Sequence, residues 1–456
     1  MRAFLLLWKR TISLKCMNRN FWIIALISFT NSLSFTILIP VLYLYGRQFK
    51  LDDFQTSLLF AIYSISQFFA TPIIGKLSDR FGRKPLLIIS LAGTVIANLM
   101  AGTAATPAIF FLARFLDGIT GGNASVAQAV ISDVTTRETR AKAFGINGAA
   151  FGLGFILGPA ISLLAQKAAK STPLGESFGA SFLVAGVIAA IALFITIFFL
   201  PETLKQKSPK AQNIFDLGLD KLITGLFMPR IGILLMINFF TGLTFTLFTF
   251  AFQPYFIVVL KQNSEALTLM FFLFGVLGVI MQTLGISQMT KRLQLVQILF
   301  LGLFIRSLSF VLMPIWENVT YFVAVCVFFS LLNSVVQPMI SALISLNASP
   351  DEQGTILGIN SSYLSISNAF GPIIAGLIVN QAQPQSYGYP LYLAGICTFL
   401  VLIFAIVKSP VTQSKRNNID YSKIKIAKNL LCRFCSKIAI GNYVVHEYSW
   451  NLSSKL

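Results

Sequence analysis

The sequence predicts an all-α membrane protein of twelve transmembrane helices, arranged as two pseudo-symmetric six-helix bundles. Three observations predict it. The first is composition: of 456 residues, 55% are hydrophobic and 11% are charged, and mean hydropathy is +0.77. Soluble domains carry about 25% charged residues, so there is too little polar surface here to cover a water-soluble particle of this size. The second is the recurrence of continuous apolar runs, each long enough to cross a bilayer as a helix. The runs do not alternate, which argues against an outer-membrane barrel. The third is an internal repeat. Gly145-Ile146-Asn147 recurs as Gly358-Ile359-Asn360, Gly158-Pro159 as Gly371-Pro372 and Ile131-Ser132 as Ile344-Ser345, all at one ungapped offset of 213 residues. Both copies enter a span from the same side, so the halves repeat in parallel about an axis along the membrane normal, an arrangement found in secondary transporters.

In chain order the apolar runs place spans at 21–45, 56–75, 85–104, 108–131, 143–165 and 178–200, then 231–259, 266–287, 294–313, 319–345, 354–379 and 388–407. The organisation is a basic N-terminal segment (1–20), a first six-helix bundle (21–200), a central loop (201–230), a second bundle (231–408) and a basic tail (409–456). The patch Phe4–Trp8 is followed at once by Lys9 and Arg10, so no cleavable signal peptide is expected.

Charge placement fixes the expected orientation. With the N-terminus inside, 28 of the 35 Lys and Arg fall in inside segments and 5 outside. That bias puts both termini in the cytoplasm of a multi-pass plasma (inner) membrane protein. The net charge of +19 therefore reflects membrane orientation, and a nucleic-acid partner is not expected. Cys326 and Cys397 fall inside spans and read as small apolar residues. Cys432 and Cys435 form a CxxC with no second pair, and His446 is the single histidine. Neither a metal site nor an enzyme active site is expected, and with no GxxxxGK[ST] loop neither is ATP drive. In the tail, Ala427, Leu430, Leu431 and Phe434 follow helical spacing among basic residues. An interfacial helix on anionic lipid is one reading, an unstructured tail the other.

The sharpest motif is Gly75-Lys76-Leu77-Ser78-Asp79-Arg80-Phe81-Gly82-Arg83-Lys84, between spans 2 and 3. Glycines permit a tight turn between two helices. Asp79 can cap a helix or pair with a base, and the basic residues hold the loop inside. This stretch resembles the GxLxDRxGRK signature of the major facilitator superfamily at every defining position. The resemblance covers roughly residues 20–408 and implies that Asp79 and Arg80 belong to a charge cluster latching the two halves in the outward-facing state. The corresponding second-half loop keeps Gly285, Lys291 and Arg292 but has Met289 where Asp79 would align, so the latch is expected to be asymmetric.

Span 4 begins Leu112-Ala113-Arg114-Phe115-Leu116-Asp117-Gly118. A span starting near 108 puts Arg114 ~9 Å and Asp117 ~13 Å deep. Three-residue spacing places both on one helix face, where each can neutralise the other. A mid-membrane charge costs about 2.5–3.5 kcal/mol on insertion scales, so the pair should face the interior. By sequence, Asp117 alone of the 16 carboxylates sits well inside a span. It is either a proton-coupling group with Arg114 as partner or one half of a permanent structural ion pair. The segment resembles the RxxxG motif of the drug:proton antiporter branch.

Span 5 carries Gly145, Gly154, Gly158 and Pro159, small residues that allow close helix contact. They resemble the antiporter motif G-x8-G-x3-GP-x2-GG, although Ser162-Leu163 stands where the last two glycines would be. In span 1, Asn31 occupies a position where tetracycline-type antiporters often hold a carboxylate, and an amide cannot carry a proton. Asn31, Asn238 and Gln337 are candidate polar groups of a central cavity lined by many Phe and Tyr.

These readings lead to a secondary active transporter that works by alternating access. Proton-coupled efflux of small amphipathic organic compounds of drug or tetracycline type is expected, from a monomer whose partners are its substrate, protons and the bilayer, with no cofactor. One alternative is proton-independent or inward movement of a metabolite. Another, of a different class, is a transport-inactive receptor or scaffold.

Overall fold

The computed structural model describes residues 19–135, 137–171, 177–204, 219–348 and 353–408. The predicted N-terminal segment before residue 19, most of the central loop, and the tail with Cys432, Cys435 and His446 lie outside the described residues. Every regular element among the described residues is helical. Twelve helices correspond to the twelve predicted spans: α1 (Arg19–Leu38), α2 (Asp53–Phe81), α3 (Arg83–Gly102), α4 (in two pieces, Pro107–Thr120 and Asn123–Val134), α5 (Arg137–Ala169), α6 (Gly179–Phe199), α7 (Ile231–Pro254), α8 (Ser264–Ile280), α9 (Leu295–Leu312), α10 (Val319–Asn347), α11 (Gln353–Ile378) and α12 (Tyr389–Lys408). Among the described residues, eleven helices are each long and apolar enough to cross a membrane. The exception is α4, where the Gly121-Gly122 pair interrupts the helix and neither piece spans alone.

Three further departures have local causes. Pro40 ends α1 before the predicted limit of span 1, and the chain resumes as the short helix Leu42–Gln48. α7 and α8 each loosen into a π-helical turn at the C-terminal end, Tyr255–Val259 and Met281–Gly285. α2 runs to Phe81, so the motif from Gly75 to Phe81 is helical and the turn is left to Gly82 alone. Four of the helices that start at the end opposite this motif carry polar caps: Asp52 and Gln55 form a reciprocal capping box on α2, Thr106 caps α4 ahead of Pro107, Asn263 caps α8 and Asn318 caps α10. Each cap satisfies backbone N–H groups that a bilayer cannot. Large apolar side chains such as Phe198, Phe328 and Leu377 lie exposed on the outside of the bundle, as lipid requires.

Helix packing repeats across the halves. In the first, α1 packs on α5 and α6, α3 on α6 and α4, and α2 on α4. In the second, α7 packs on α11 and α12, α9 on α12 and α10, and α8 on α10. The halves meet where α2 packs against α11 and α5 against α8. The repeat extends to single atoms. On α5, a Cβ on Gly158 would collide with Thr36 of α1, and on α11 a Cβ on Gly371 would collide with Thr246 of α7. The Thr36 hydroxyl donates to the Gly154 carbonyl at 2.8 Å and the Thr246 hydroxyl to the Ser367 carbonyl at 3.0 Å. One step along, the small residues are exchanged: Gly154 on α5 faces Ser32 on α1, whereas Ser367 on α11 faces Gly242 on α7. Each crossing admits one serine and one glycine.

Many of the phenylalanines do not line a cavity as the sequence reading expected. Phe248, Phe252, Phe310, Phe322 and Phe329 are buried against one another in the core of the second half, with Phe248 and Phe310 stacked at 4.7 Å.

The exchanged pair gives a test of the α1–α5 crossing. Gly154→Ser puts two hydroxymethyl groups where one fits and is expected to destabilise by about 1–3 kcal/mol, read as a lowered Tm of detergent-purified protein. Adding Ser32→Gly recreates the second-half arrangement and should recover most of that loss. A Tm unmoved by Gly154→Ser alone would mean that the two helices part without cost.

Candidate functional site

Two amide clusters lie in the bundle, one in each half. In the first, Asn31 of α1 and Asn123 of α4 exchange side-chain hydrogen bonds at 3.1 and 3.4 Å. They line a cavity of about 120 Å³ together with Ser28, Gln128 and Asn147. In the second, Gln337 of α10 donates to Asn238 of α7 at 2.9 Å, and Asn238 donates to the backbone carbonyl of Asn360 on α11 at 3.1 Å. Asn147 and Asn360 are the asparagines of the sequence repeat, and in both the side-chain oxygen is buried with no hydrogen-bond partner. A buried acceptor left unmatched is costly, so a donor brought by a bound molecule would be favoured there. Of the sequence candidates, Asn238 and Gln337 are therefore joined, while Asn31 belongs to the other cluster. Its partner Asn123 was not singled out, though it directly follows the Gly-Gly break in α4.

Arg114 and Asp117 do form a buried pair. The Arg114 guanidinium donates to the Asp117 carboxylate at 2.8 Å and lies 4.4 Å above the Tyr63 ring of α2. α4 can come this near because Gly118 sits on the backbone of α2: a Cβ there would strike the Tyr63 carbonyl. Below the pair, Gln67 of α2 donates to the Gly121 carbonyl at 3.1 Å, satisfying a group freed by the break. The pair faces α2 and does not line the cavity that holds Asn31.

The loop motif is organised by Arg83. Its guanidinium meets Asp79 at 2.6 Å and Asp133 of α4 at 3.1 Å and donates to the Ser78 hydroxyl at 2.6 Å. Glu202, just past α6, accepts from the backbone N–H of Arg83 at 2.9 Å and of Lys84 at 3.2 Å. Gly82 is required twice over, since its φ is +117° and a Cβ would strike the Glu202 carboxylate. Gly75 is not required here: a Cβ would make an ordinary 3.7 Å contact with Ser125. Exposed Arg80 lies over the Phe81 ring at 5.3 Å, and the base that pairs with Asp79 is Arg83. The cluster around Arg83 ties α2, α3, α4 and the end of α6, all in the first half. Gly145, Gly154, Gly158 and Pro159 all lie on α5, and of these Gly154 and Gly158 make the α1 crossing.

At the opposite end stands a group that sequence reading missed. Asp53, in the first turn of α2, is buried with 3% of its surface exposed. One carboxylate oxygen accepts from the Tyr43 hydroxyl at 2.7 Å and the other from the Tyr387 hydroxyl at 2.8 Å. Tyr43 belongs to the first half and Tyr387 to the second. Nearby, Gly376 of α11 presses on Ser57 of α2, and Lys167 of α5 and Lys170 just past it approach Glu265 of α8 at 3.8 and 3.7 Å. The halves are thus joined at this far end. Towards the loop end, a Cβ at Gly358 of α11 would meet nothing within 4 Å.

Comparison with known proteins agrees with this architecture. A family model described as Major Facilitator Superfamily matches residues 24–363 and 234–431. The chain is 27% identical over 350 residues to the class C tetracycline resistance protein of Escherichia coli, covering 76% of this chain and 85% of that protein. It is 27% identical over 406 residues to multidrug resistance protein 2 of Bacillus subtilis (strain 168), covering 86% and 94%. Similar solved structures include the human organic anion transporter MFSD10, with TM-score 0.64, 21% identity and coverage of 85% of this chain and 98% of that one. The nucleoside transporter NupG gives TM-score 0.67 at 14% identity, covering 86% and 99%. These two likenesses concern the fold.

The loop cluster carries a pH prediction. Burial pushes the Glu202 carboxyl up, but backbone N–H groups of Leu204, Arg83, Lys84 and Thr203 outweigh it and hold the group below the usual carboxylate range. A depressed pKa stabilises the fold above the unfolded pKa, and the gain is lost as pH falls through the folded value. Glu202→Gln should therefore lower Tm at pH 7 and make little difference once the pH is below that folded value. Melting curves of both proteins across pH check it; a gap constant with pH would show that the charge is not what matters.

Proposed function

This chain belongs to the major facilitator superfamily, a transporter and not an enzyme, and on that premise we propose that it exports small amphipathic organic compounds in exchange for protons. The observation that carries the proposal is the Arg114–Asp117 pair. A carboxylate buried inside a membrane helix, held by one movable cation, can change protonation as its surroundings change. Asp117 takes up a proton when Arg114 breaks its bond to it and is left on the Tyr63 ring alone, and gives it up when the pair re-forms. The names of the tetracycline and multidrug resistance relatives support export of organic compounds. The charge bias supports cytoplasmic termini, which puts the Gly75–Lys84 motif inside and the Asp53 end outside, in a plasma or inner membrane. The protein works as a monomer.

In this reading substrate enters from the cytoplasmic side between the amide clusters. Asn31 and Asn123 form one wall, Asn238, Gln337 and Asn360 the other, and the free oxygens of Asn147 and Asn360 accept from donor groups on the substrate. A neutral, amide-lined site suits amphipathic molecules better than ions. Rocking of the halves about the α2–α11 and α5–α8 seams then closes the inside, where Asp79 and Arg80 serve as the latch and Arg83 braces Asp79 within the first half. One observation favours a second reading. Asp117 lies outside the Asn31 cavity and Asn31 itself cannot titrate, which suits a carrier that moves its substrate without protons.

Purified protein in liposomes containing a pH-sensitive dye separates the two. With a pH gradient imposed and a panel of amphipathic drugs added, substrate-triggered proton movement is expected in the wild type and its loss in Asp117→Asn. Substrate flux that moves no protons and survives the substitution would establish the second reading instead.

A further inference from the structure

We propose that the short helix Leu219–Phe227, at the end of the central loop, is an interfacial lipid anchor: it lies in the headgroup–acyl boundary of the leaflet at the loop end, with Ile223, Leu226 and Phe227 in lipid, and ties the first turns of α11 to that surface. The inference needs the membrane fold that the family establishes and does not need the export reading.

The helix carries three separate faces. Ile223, Leu226 and Phe227 follow i, i+3, i+4 spacing and share one side. All three are exposed, Ile223 at 58% and Phe227 at 80%. Leu222 and Gly225 turn to the protein, where the helix packs on α7 and α11. A Cβ on Gly225 would come within 3.3 Å of both Leu235 of α7 and Ile359 of α11, so a larger residue would hold the helix off. Asp220 and Thr224, one turn apart, make the third side, and both are exposed. The Thr224 hydroxyl donates to the Asp220 carbonyl at 2.6 Å. One face for protein, one apolar and one polar is what a helix needs where a bundle, lipid and water meet.

Depth decides what covers the apolar face. Leu235 lies one turn inside α7. Ile359 and Tyr363 lie one and two turns inside the apolar stretch of α11 that begins at Ile356. At a rise of about 1.5 Å per residue these three are roughly 4–10 Å past the start of their spans, the depth to which interfacial helices bury their apolar side. The Tyr363 hydroxyl donates to the Leu222 carbonyl at 2.9 Å. Helical side chains lean toward their own N-terminus, so the phenol points back to the loop end and pins the helix level with those first turns. Apolar side chains exposed on the outside of a bundle at that level meet acyl chains.

The bend into α7 keeps the helix there. Gly232, in the first turn of α7, lies so close to the Leu226 carbonyl that a Cβ would collide with it. The Ile231 and Gly232 N–H groups donate to the Pro229 and Met228 carbonyls at 2.8 and 2.9 Å, which satisfies the backbone at the corner. Arg230 holds φ +66° in that corner and is exposed, placed for a lipid phosphate, to which a guanidinium can donate twice. Through Ile359 and Tyr363 the helix grips the part of α11 that carries Asn360, and so gives that part a hold on the membrane surface.

Lipid contact is read by fluorescence quenching. In full-length protein with its four tryptophans replaced by phenylalanine, Phe227→Trp is placed in phosphatidylcholine nanodiscs whose acyl chains are plain or brominated near the headgroup. Brominated chains are expected to lower its emission about twofold or more with little effect of aqueous iodide, and Thr224→Trp should show the reverse. Ile223→Trp should behave as Phe227→Trp does and carries the test if Phe227→Trp does not fold. Tyr363→Phe removes the tie to α11 and should speed hydrogen exchange of the 219–227 amides about two- to tenfold, the scale of one hydrogen bond. Quenching of the apolar face by iodide and not by bromine would put it in an aqueous opening. Quenching by neither would put it under protein, such as the rest of the central loop. Either result overturns the proposal, as does exchange unmoved by Tyr363→Phe. Transport enters none of these readings, so their failure is distinct from failure of the export reading.

Discussion

Two helix crossings, α1 with α5 and α7 with α11, set how closely each half can be built. At each crossing a glycine lies on a threonine of the facing helix, and that threonine donates to a backbone carbonyl opposite. In a bilayer, helices gain nothing from hiding apolar surface from lipid, so association depends on packing and on hydrogen bonds made at short range. The crossings supply both. They hold α5 and α11, which run along the seam between the halves, and so place the asparagines of the repeat, Asn147 and Asn360. The exchange of serine and glycine between the crossings shows that what is preserved is the combined volume of the pair, not the identity of either residue.

The polar groups of the interior are sorted by what each can tolerate. Neutral amides, which need only hydrogen bonds, stand in the two central clusters. Charges are kept where they are matched: Arg114 by Asp117 and the Tyr63 ring, and Arg83 by Asp79 and Asp133. Arg306 of α9 is the instructive case. It is buried with no carboxylate among its described contacts, donates to the Thr241 carbonyl and to the Thr244 hydroxyl at 3.0 Å, and lies between the faces of Phe245 and Phe310 at 5.4 and 5.3 Å. Ring faces and hydroxyls there stand in for a counter-charge. That environment fixes Arg306 within the aromatic core of the second half and gives it no part in the amide clusters.

Much of this was legible in the sequence because it is local. Hydropathy finds helices, since a helix in lipid satisfies its own backbone, and a repeat in sequence implies a repeat in packing. The Arg114–Asp117 pair could be read because three-residue spacing closes it on one helix. The misreadings came where a contact joins distant segments. Asp53 falls at the edge of a span and looks like a solvated cap beside Asp52. Its burial depends on Tyr387, far along the chain, which no local pattern announces. Likewise Gly75 and Gly82 look equivalent in the motif. The first proved to be an ordinary helix position and the second a turn that only glycine fits, because α2 continues to Phe81 and Glu202 closes over the bend.

The proposed rocking of the halves also limits how strong any one closure can be. To move a gate from almost always shut to almost always open takes about 5.5 kcal/mol of differential binding. The described contacts at the far end fit that scale. A hydrogen bond to a charged group contributes about 1.5–3 kcal/mol, and Asp53 makes two across or along the seam. The exposed approach of Lys167 and Lys170 to Glu265 adds at most about 1 kcal/mol. A closure of this size is slight enough for one bound molecule to undo. At the loop end, Glu202 receives backbone N–H groups of its own half, which stiffens a bend without joining the halves. The two ends therefore use the same acceptor chemistry for different purposes, and only at the far end do the donors come from both halves.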